Sequence, residues 1–259
     1  MISIIKSKFF KKIITGICVA AIWIGIWQII YLCVDSPLFV VSPLSVFIRF
    51  FELAGTLAFW KTVFFSVLRI LSGFVSGIIF GMLMAFVCTW DFAEKFFEPI
   101  KVIVRATPVA SFIMLTWIWL ERANIPVFIS FLMVVPIVWG NVSTGIKNVS
   151  KEHKELAKVY KFSVIKKFKF IYLPSVLPYF ATAVCTSSGL VWKAGIAAEV
   201  LCQPPGTIGA SLFSAKSILE TVDIFTWTAV VIIISLILEV IIKAVLKNLE
   251  KRFKFAGLT

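Results

Sequence analysis

Of 259 residues, 60% are hydrophobic and the mean hydropathy is +1.02, far outside the range of an ordinary soluble domain. Lys and Arg number 26 against 13 Asp and Glu, a net charge of +13 with no soluble basic module to carry it. That excludes a nucleic-acid-binding domain and points to membrane orientation and anionic headgroups, while a single histidine removes most hydrolytic and metal chemistry.

A helix needs roughly 20 mostly apolar residues to cross about 30 Å of hydrocarbon. Such runs recur at 13–33, 63–89, 99–120, 125–146, 174–200 and 224–246, which predicts an all-α integral membrane protein of six spans in one domain over 1–259. The first run follows Lys6, Lys8, Lys11 and Lys12, the polarity of a signal peptide, but Ile13 to Val34 is longer than a typical apolar signal region and has no small-residue cleavage pattern. An uncleaved span is expected. Ser36-Pro37 and Ser42-Pro43-Leu44-Ser45 then punctuate an outer loop, and Phe47 to Phe59 carries apolar residues at helical spacing, an interfacial helix. In the second run Gly73, Gly77 and Gly81 share nearly one helix face, which lets another helix approach closely, first within the chain and alternatively from a second copy. Cys18, Cys33, Cys88, Cys185 and Cys202 show no C-x-x-C spacing and read as small core hydrophobes rather than as disulfide or zinc ligands. Trp23, Trp27, Trp60, Trp90, Trp192 and Trp227 lie near span ends, where interfacial belts form.

Six spans place both termini on one side, and the basic residues say which. With the termini inside, the inner segments hold Lys6 to Lys12, then Lys95 and Lys101, then eight lysines between 147 and 169, then Lys243, Lys247, Lys251, Arg252 and Lys254. The outer loops hold chiefly Arg49, Lys61, Arg122 and Lys216, so both termini are expected in the cytoplasm.

The inner segment 147–173 is too polar to cross a membrane. Leu156, Val159 and Tyr160 fall at i, i+3 and i+4, and Val164, Ile165 and Phe168 form a second such set, which predicts two short amphipathic helices with a turn near Lys161 to Ser163. Ser150 can cap the first, with His153 where a capping box has Glu or Gln. Pro174 suits the first turn of the next helix. From periodicity alone the apolar faces serve either the inner lipid surface or a partner groove.

The spacing here resembles the cytoplasmic loop of permease subunits of bacterial ABC importers, E-A-A, three residues, G, nine residues, I-x-L-P. Glu155, Ala157, Ile171, Leu173 and Pro174 stand in register, with Leu156 in place of Ala and Lys161 in place of Gly. The wider sequence resembles the branch that includes nitrate, sulfonate and taurine importers. Ser66-Val67-Leu68-Arg69, the three glycines, Glu98-Pro99, Arg105-Ala106-Thr107-Pro108, Trp117-Ile118-Trp119, Ala198-Glu199 and Gly206-Thr207-Ile208-Gly209 follow in the order of that branch, over about residues 60–252.

The resemblance implies a type I importer permease in the bacterial inner or plasma membrane that pairs with a second copy as a homodimer. It also implies two cytoplasmic ABC ATPase subunits docked through Glu155, Leu156, Ala157, Val159, Tyr160, Lys161, Ile171, Leu173 and Pro174, and an extracytoplasmic substrate-binding protein. The chain has no G-x-x-x-x-G-K-[ST] phosphate loop, so ATP is expected to be used by the partner and this subunit to be non-catalytic, with no cofactor or metal of its own. Lys161 puts the turn in question. A left-handed residue there costs a non-glycine side chain about 1 kcal/mol, and altered turn geometry is the expectation.

Charges inside the apolar runs are the candidates for a translocation path. Lys193 lies 19 residues after Pro174, about 28 Å along a helix, and either snorkels outward or meets an anionic solute. Glu199, about 240° further round, is not its same-face partner. Arg69 and Arg105 either line a cavity or anchor helix packing. A secondary transporter or channel is the alternative, and it needs coupling charges at mid-membrane.

Overall fold

The computed structural model describes residues 2–255, all of whose regular elements are helical. Among the inner basic residues, the side chains of Lys6, Lys8, Lys11, Lys12, Lys154, Arg252 and Lys254 lie outside the described set. The helices are α1 Ile2–Val34, α2 Pro43–Ala54, α3 Leu57–Val87, α4 Asp91–Ala106, α5 Val109–Thr116, α6 Ile125–Lys147, α7 Lys151–Val159, α8 Val164–Lys167, α9 Leu173–Cys202, α10 Ile208–Ser217 and α11 Thr221–Phe255. By compactness the chain divides into one unit of residues up to Trp60 with Ser211–Val230, and another of Lys61–Ala210 with the chain from Val231 onward.

Among the described residues, five helices are long and apolar enough to cross a membrane, at Ile14–Val34, Leu57–Val87, Ile125–Lys147, Val164–Cys202 and Thr221–Leu249. The expected third span, 99–120, is not one helix. α4 and α5 meet there at a bend of 101°, because Pro108 forces Thr107 into extended backbone and has no N–H to continue the ladder. Counted as one broken span, that pair makes six.

In the first unit, Ser42 accepts the N–H of Ser45 at 3.0 Å to cap α2, with Pro43 in the first turn. This helix stops at Ala54 rather than running on to Phe59, since the next helix starts at Leu57 after Gly55. Arg49 extends its fork to Asp223, Nε to Oδ1 at 2.6 Å and Nη2 to Oδ2 at 3.1 Å, and reaches Glu52 with Nη1 at 3.0 Å. Phe59 stacks on Trp227 at 5.3 Å and Trp27 on Phe225 at 6.0 Å. Trp227 is therefore buried and leaves the expected interfacial belt, as does Trp192 of the second unit, whose Nε1 donates to the Val231 carbonyl at 3.0 Å. Trp23, Trp60 and Trp90 are exposed, as a belt requires. Of the cysteines only Cys88 and Cys202 are buried, while Cys18 and Cys33 lie exposed on α1, a helix apolar on all sides.

The second unit is built on α6 paired with α9. Ile129, Val134, Val138 and Val142 of α6 and Ala183, Val191 and Ala198 of α9 are buried. α3 also packs on α6, against Val134 and Val138, and the glycine row explains how close it comes. A Cβ at Gly73 would stand 2.2 Å from the Val127 carbonyl oxygen, at Gly77 2.7 Å from Val134 Cβ, and at Gly81 2.9 Å from Val138 Cβ. The row is an internal seam. Close backbone approach is what makes helix association favourable in a medium with no hydrophobic drive between helices.

Candidate functional site

The segment 147–173 folds as a helical hairpin. Ser150 Oγ accepts the N–H of His153 at 3.2 Å and lies 2.8 Å from His153 Nδ1, so the imidazole meets the capping hydroxyl itself and not the backbone N–H that a capping-box carboxylate accepts. α7 then runs to Val159, and its end closes in a left-handed cap. Lys161 has φ +46°, its N–H donates to Lys158 O at 3.1 Å, and the N–H of Phe162 donates to Ala157 O at 2.9 Å. These are the two bonds of a Schellman motif with Lys161 where glycine is usual. The expectation of altered turn geometry is thus corrected, because the lysine adopts the glycine conformation. Two backbone bonds and the contact of Phe162 with a small core hold it there.

That core is Val149, Ala157 and Ile171, with Phe162 and Tyr172 packed against it. It fixes the two arms of the hairpin to each other and explains the spacing of the motif, since Ala157 and Ile171 meet inside. Five other apolar side chains of the hairpin point away: Leu156 is 50% exposed, Val159 77%, Tyr160 69%, Val164 83% and Ile165 78%. Glu155 is exposed, as is His153, whose solvent-facing position agrees with the reading of the sequence.

The second arm does not stop before the fifth span. α8, capped by Ser163 through the N–H of Lys166 at 3.4 Å, passes through a wide π turn, Phe168–Tyr172, directly into α9. Pro174 gives the reason. It has no N–H to offer the preceding turn and its ring crowds the Phe170 carbonyl, so the backbone widens there, with the N–H of Leu173 reaching back five residues to Phe168 O. Leu173 and Pro174 are half-buried at this junction. What the sequence predicts as a separate short helix is the first turn of a continuous rod.

The four candidate path residues do not form one cluster. Lys193 is exposed on α9, Arg105 is exposed in the last turn of α4, and Arg69 is half-buried over the Phe65 ring, 6.0 Å from its centroid, with Nη1 lacking a hydrogen-bond partner. Glu199 is 0% exposed and lies on a different face of α9 from the exposed Lys193. Its Oε2 accepts the Ser66 hydroxyl at 2.8 Å and the N–H of Gly209 at 3.1 Å, while Ser66 Oγ accepts the N–H of Ile208 at 2.9 Å. Thr207 Oγ1 takes the N–H of Ala210 at 3.2 Å. The first amides of α10 are therefore capped by side chains from α3 and α9, and the carboxylate sits where the helix dipole favours an anion. Gly209 has to be glycine, since a Cβ would lie 2.3 Å from Glu199 Cβ. Sequence reasoning missed Ser66 as the partner of Glu199. A carboxylate in an apolar run demands a donor, and that demand was the available signal. No group of three or more His, Cys, Asp or Glu placed to hold a metal ion occurs among the described residues.

Residues 77–255 match the family described as binding-protein-dependent transport system inner membrane component. The chain belongs to that family. The permease is 24% identical over 230 residues to the taurine transport system permease protein TauC of Escherichia coli, covering 86% of this chain and 83% of that one. It is 26% identical over 219 residues to the nitrate import permease protein NrtB of a Synechocystis strain, covering 79% and 77%. In fold the permease is similar to a solved structure described as an amino acid ABC transporter with histidines, with TM-score 0.62, 14% identity, and coverage of 82% of this chain and 99% of the other. It is an ABC importer permease, a multi-pass membrane protein of the all-helical class.

Proposed function

We propose that the 147–173 hairpin of this permease docks on a separate ABC ATPase, one on each of two permease copies, and that the paired copies form a path of alternating access fed by an external binding protein. In this reading the chain acts as one permease domain, both termini and the hairpin are cytoplasmic, and ATP is hydrolysed only on the partner. The observation that carries it is the hairpin itself, whose own core is complete while Leu156, Val159, Tyr160, Val164 and Ile165 stand outward, the last two on an arm continuous with α9. Such a face suits a groove on a partner, and movement of the partner would pass straight into the fifth span.

The solute is proposed to be a small anion or a zwitterion with an anionic group. Relatives are named for taurine and nitrate, and Lys193 presents an exposed cation within an apolar span, where lipid contact is unfavourable and a water-filled cavity is not. The test is copurification with the cognate ATPase from membranes, followed by uptake in reconstituted vesicles. Glu155→Arg and Val159→Asp are expected to lose ATPase retention by about tenfold while inserting normally, since one misplaced charge in a docked face costs on the order of 1.4 kcal/mol or more. Wild-type retention in both would end the docking reading. Lys193→Met should keep the ATPase and lose uptake; full uptake would remove Lys193 from the path.

A further inference from the structure

Beside the hairpin, the ends of α3 and α6 and the start of α4 meet α8 around a cavity of about 560 Å³, and a second cavity of about 240 Å³ adjoins it. The two share the side chains of Phe86, Phe168 and Tyr172, so three aromatic rings form a common wall. Their remaining linings are opposite in character. The larger takes Asp91 and Glu94 from the first turn of α4, Lys147 from the end of α6 and Lys167 from α8. The smaller is lined by apolar side chains, among them Met82, Val142, Val176, Leu177, Phe180 and Leu249.

Two charged groups lining the larger cavity are unpaired. Glu94 is neutralised by Lys147, but among the described residues the exposed Asp91 and the half-buried Lys167 have no ion-pair partner. One open acid and one open base in the same chamber ask for a ligand carrying both signs. A simple anion would satisfy Lys167 and be repelled by Asp91, and a simple cation the reverse. The adjoining slot, with nothing polar on it but the edge of Tyr172, suits only hydrocarbon. A molecule with an ammonium and a phosphate at one end and an acyl chain at the other meets every demand.

We propose that the two cavities form one site for a zwitterionic phospholipid of the phosphoethanolamine class. The ammonium donates to Asp91, the phosphate accepts from Lys167, and one acyl chain passes Phe86 and Phe168 into the slot beside Leu177. The lipid touches α8 and the π turn, the segment that joins the hairpin to α9, so its occupancy bears on how the hairpin is held. The consequence for coupling rests on the docking reading; the binding does not.

The experiment is native mass spectrometry of the full chain, delipidated in detergent and titrated with phosphatidylethanolamine, phosphatidylglycerol or soluble phosphoethanolamine. Phosphatidylethanolamine should persist under activation that strips phosphatidylglycerol, and its retained fraction should fall roughly fivefold or more, on the order of one lost charge contact, in Lys167→Met. It should fall as far in Leu177→Trp, which fills the slot, and Asp91→Asn, nearly the same shape as the native residue, gives the same readout where the tryptophan variant does not fold. Equal retention of the two lipids, or retention unmoved by Lys167→Met and Asp91→Asn, overturns the proposal. Displacement of the lipid by equimolar soluble phosphoethanolamine also overturns it, in favour of a small polar ligand. All of this is read on the permease alone, so failure here leaves ATPase docking untouched, and failure of docking leaves this site untouched.

Discussion

Along the seam between α3 and α6, backbone lies against side chain with no room for a methyl group, whereas the α7–α8 hairpin holds itself together on three buried residues and turns five large apolar side chains outward. The seam is complete within the chain. Its contacts are made once, at fixed distance, and nothing further is needed to satisfy them. The hairpin is complete only as a scaffold: its backbone bonds and its small core define a shape, and the shape presents a surface that the chain leaves uncovered. Buried Glu199 belongs with the seam through one oxygen only: Ser66 and Gly209 meet its Oε2, while Oε1 is buried with no hydrogen-bond partner among the described residues. Close internal fit marks the parts that keep their arrangement, and the outward apolar face of the hairpin is the part on which the proposed docking rests.

The contrast can be broken most strongly from the seam. Gly73→Val would drive a branched side chain into the Val127 carbonyl, 2.2 Å from where its Cβ must stand, and the seam would have to open. A loss of about 3 kcal/mol or more is expected, at the upper end of overpacking effects, visible as a large drop in the melting temperature of the detergent-purified chain. If Gly73→Val melted with the wild type, the seam would not be the tight contact described.

A smaller effect is expected at Glu199. Glu199→Ala leaves the Ser66 hydroxyl and the Gly209 amide without their acceptor, a cost of about 1–3 kcal/mol, while Glu199→Gln keeps an acceptor oxygen and should recover most of the melting temperature. Equal melting of the alanine and glutamine variants would show that the capping bonds contribute nothing.

The hairpin turn should respond least. Lys161→Gly removes the left-handed penalty of about 1 kcal/mol, so amide exchange across 151–172 should slow slightly and ATPase retention should stay as in the wild type. Faster exchange in the glycine variant would contradict the cap.

Much of this was legible in advance. The glycine row announced a close helix contact because three side-chain-free positions four apart share a face, and steric logic is local. The hairpin could be placed because its apolar period, its Ser150 cap and its proline are all short-range signals. The break at Pro108 was hidden for the opposite reason. Apolar content continues through it, and composition sees solubility in lipid but not the extended backbone that proline demands of Thr107. Lys161 misled because propensity argues against a left-handed lysine, while the two bonds of its cap and the Phe162 contact, which outweigh that preference, depend on residues brought together only in the folded turn. Trp192 and Trp227 were lost to a statistical tendency of tryptophan that says nothing of the particular carbonyl or ring each one finds.

The wide turn at Phe168–Tyr172 sets an angle as well as a join. One additional residue in a helix rotates everything on one side of it by about 100° around the axis relative to the other. The outward face of α8 is thereby keyed to a particular azimuth of α9, a helix of 30 residues and so about 45 Å long. Pro174, by holding the extra residue in place, fixes that azimuth, and with it which side of the span lies in line with the outward face of the hairpin.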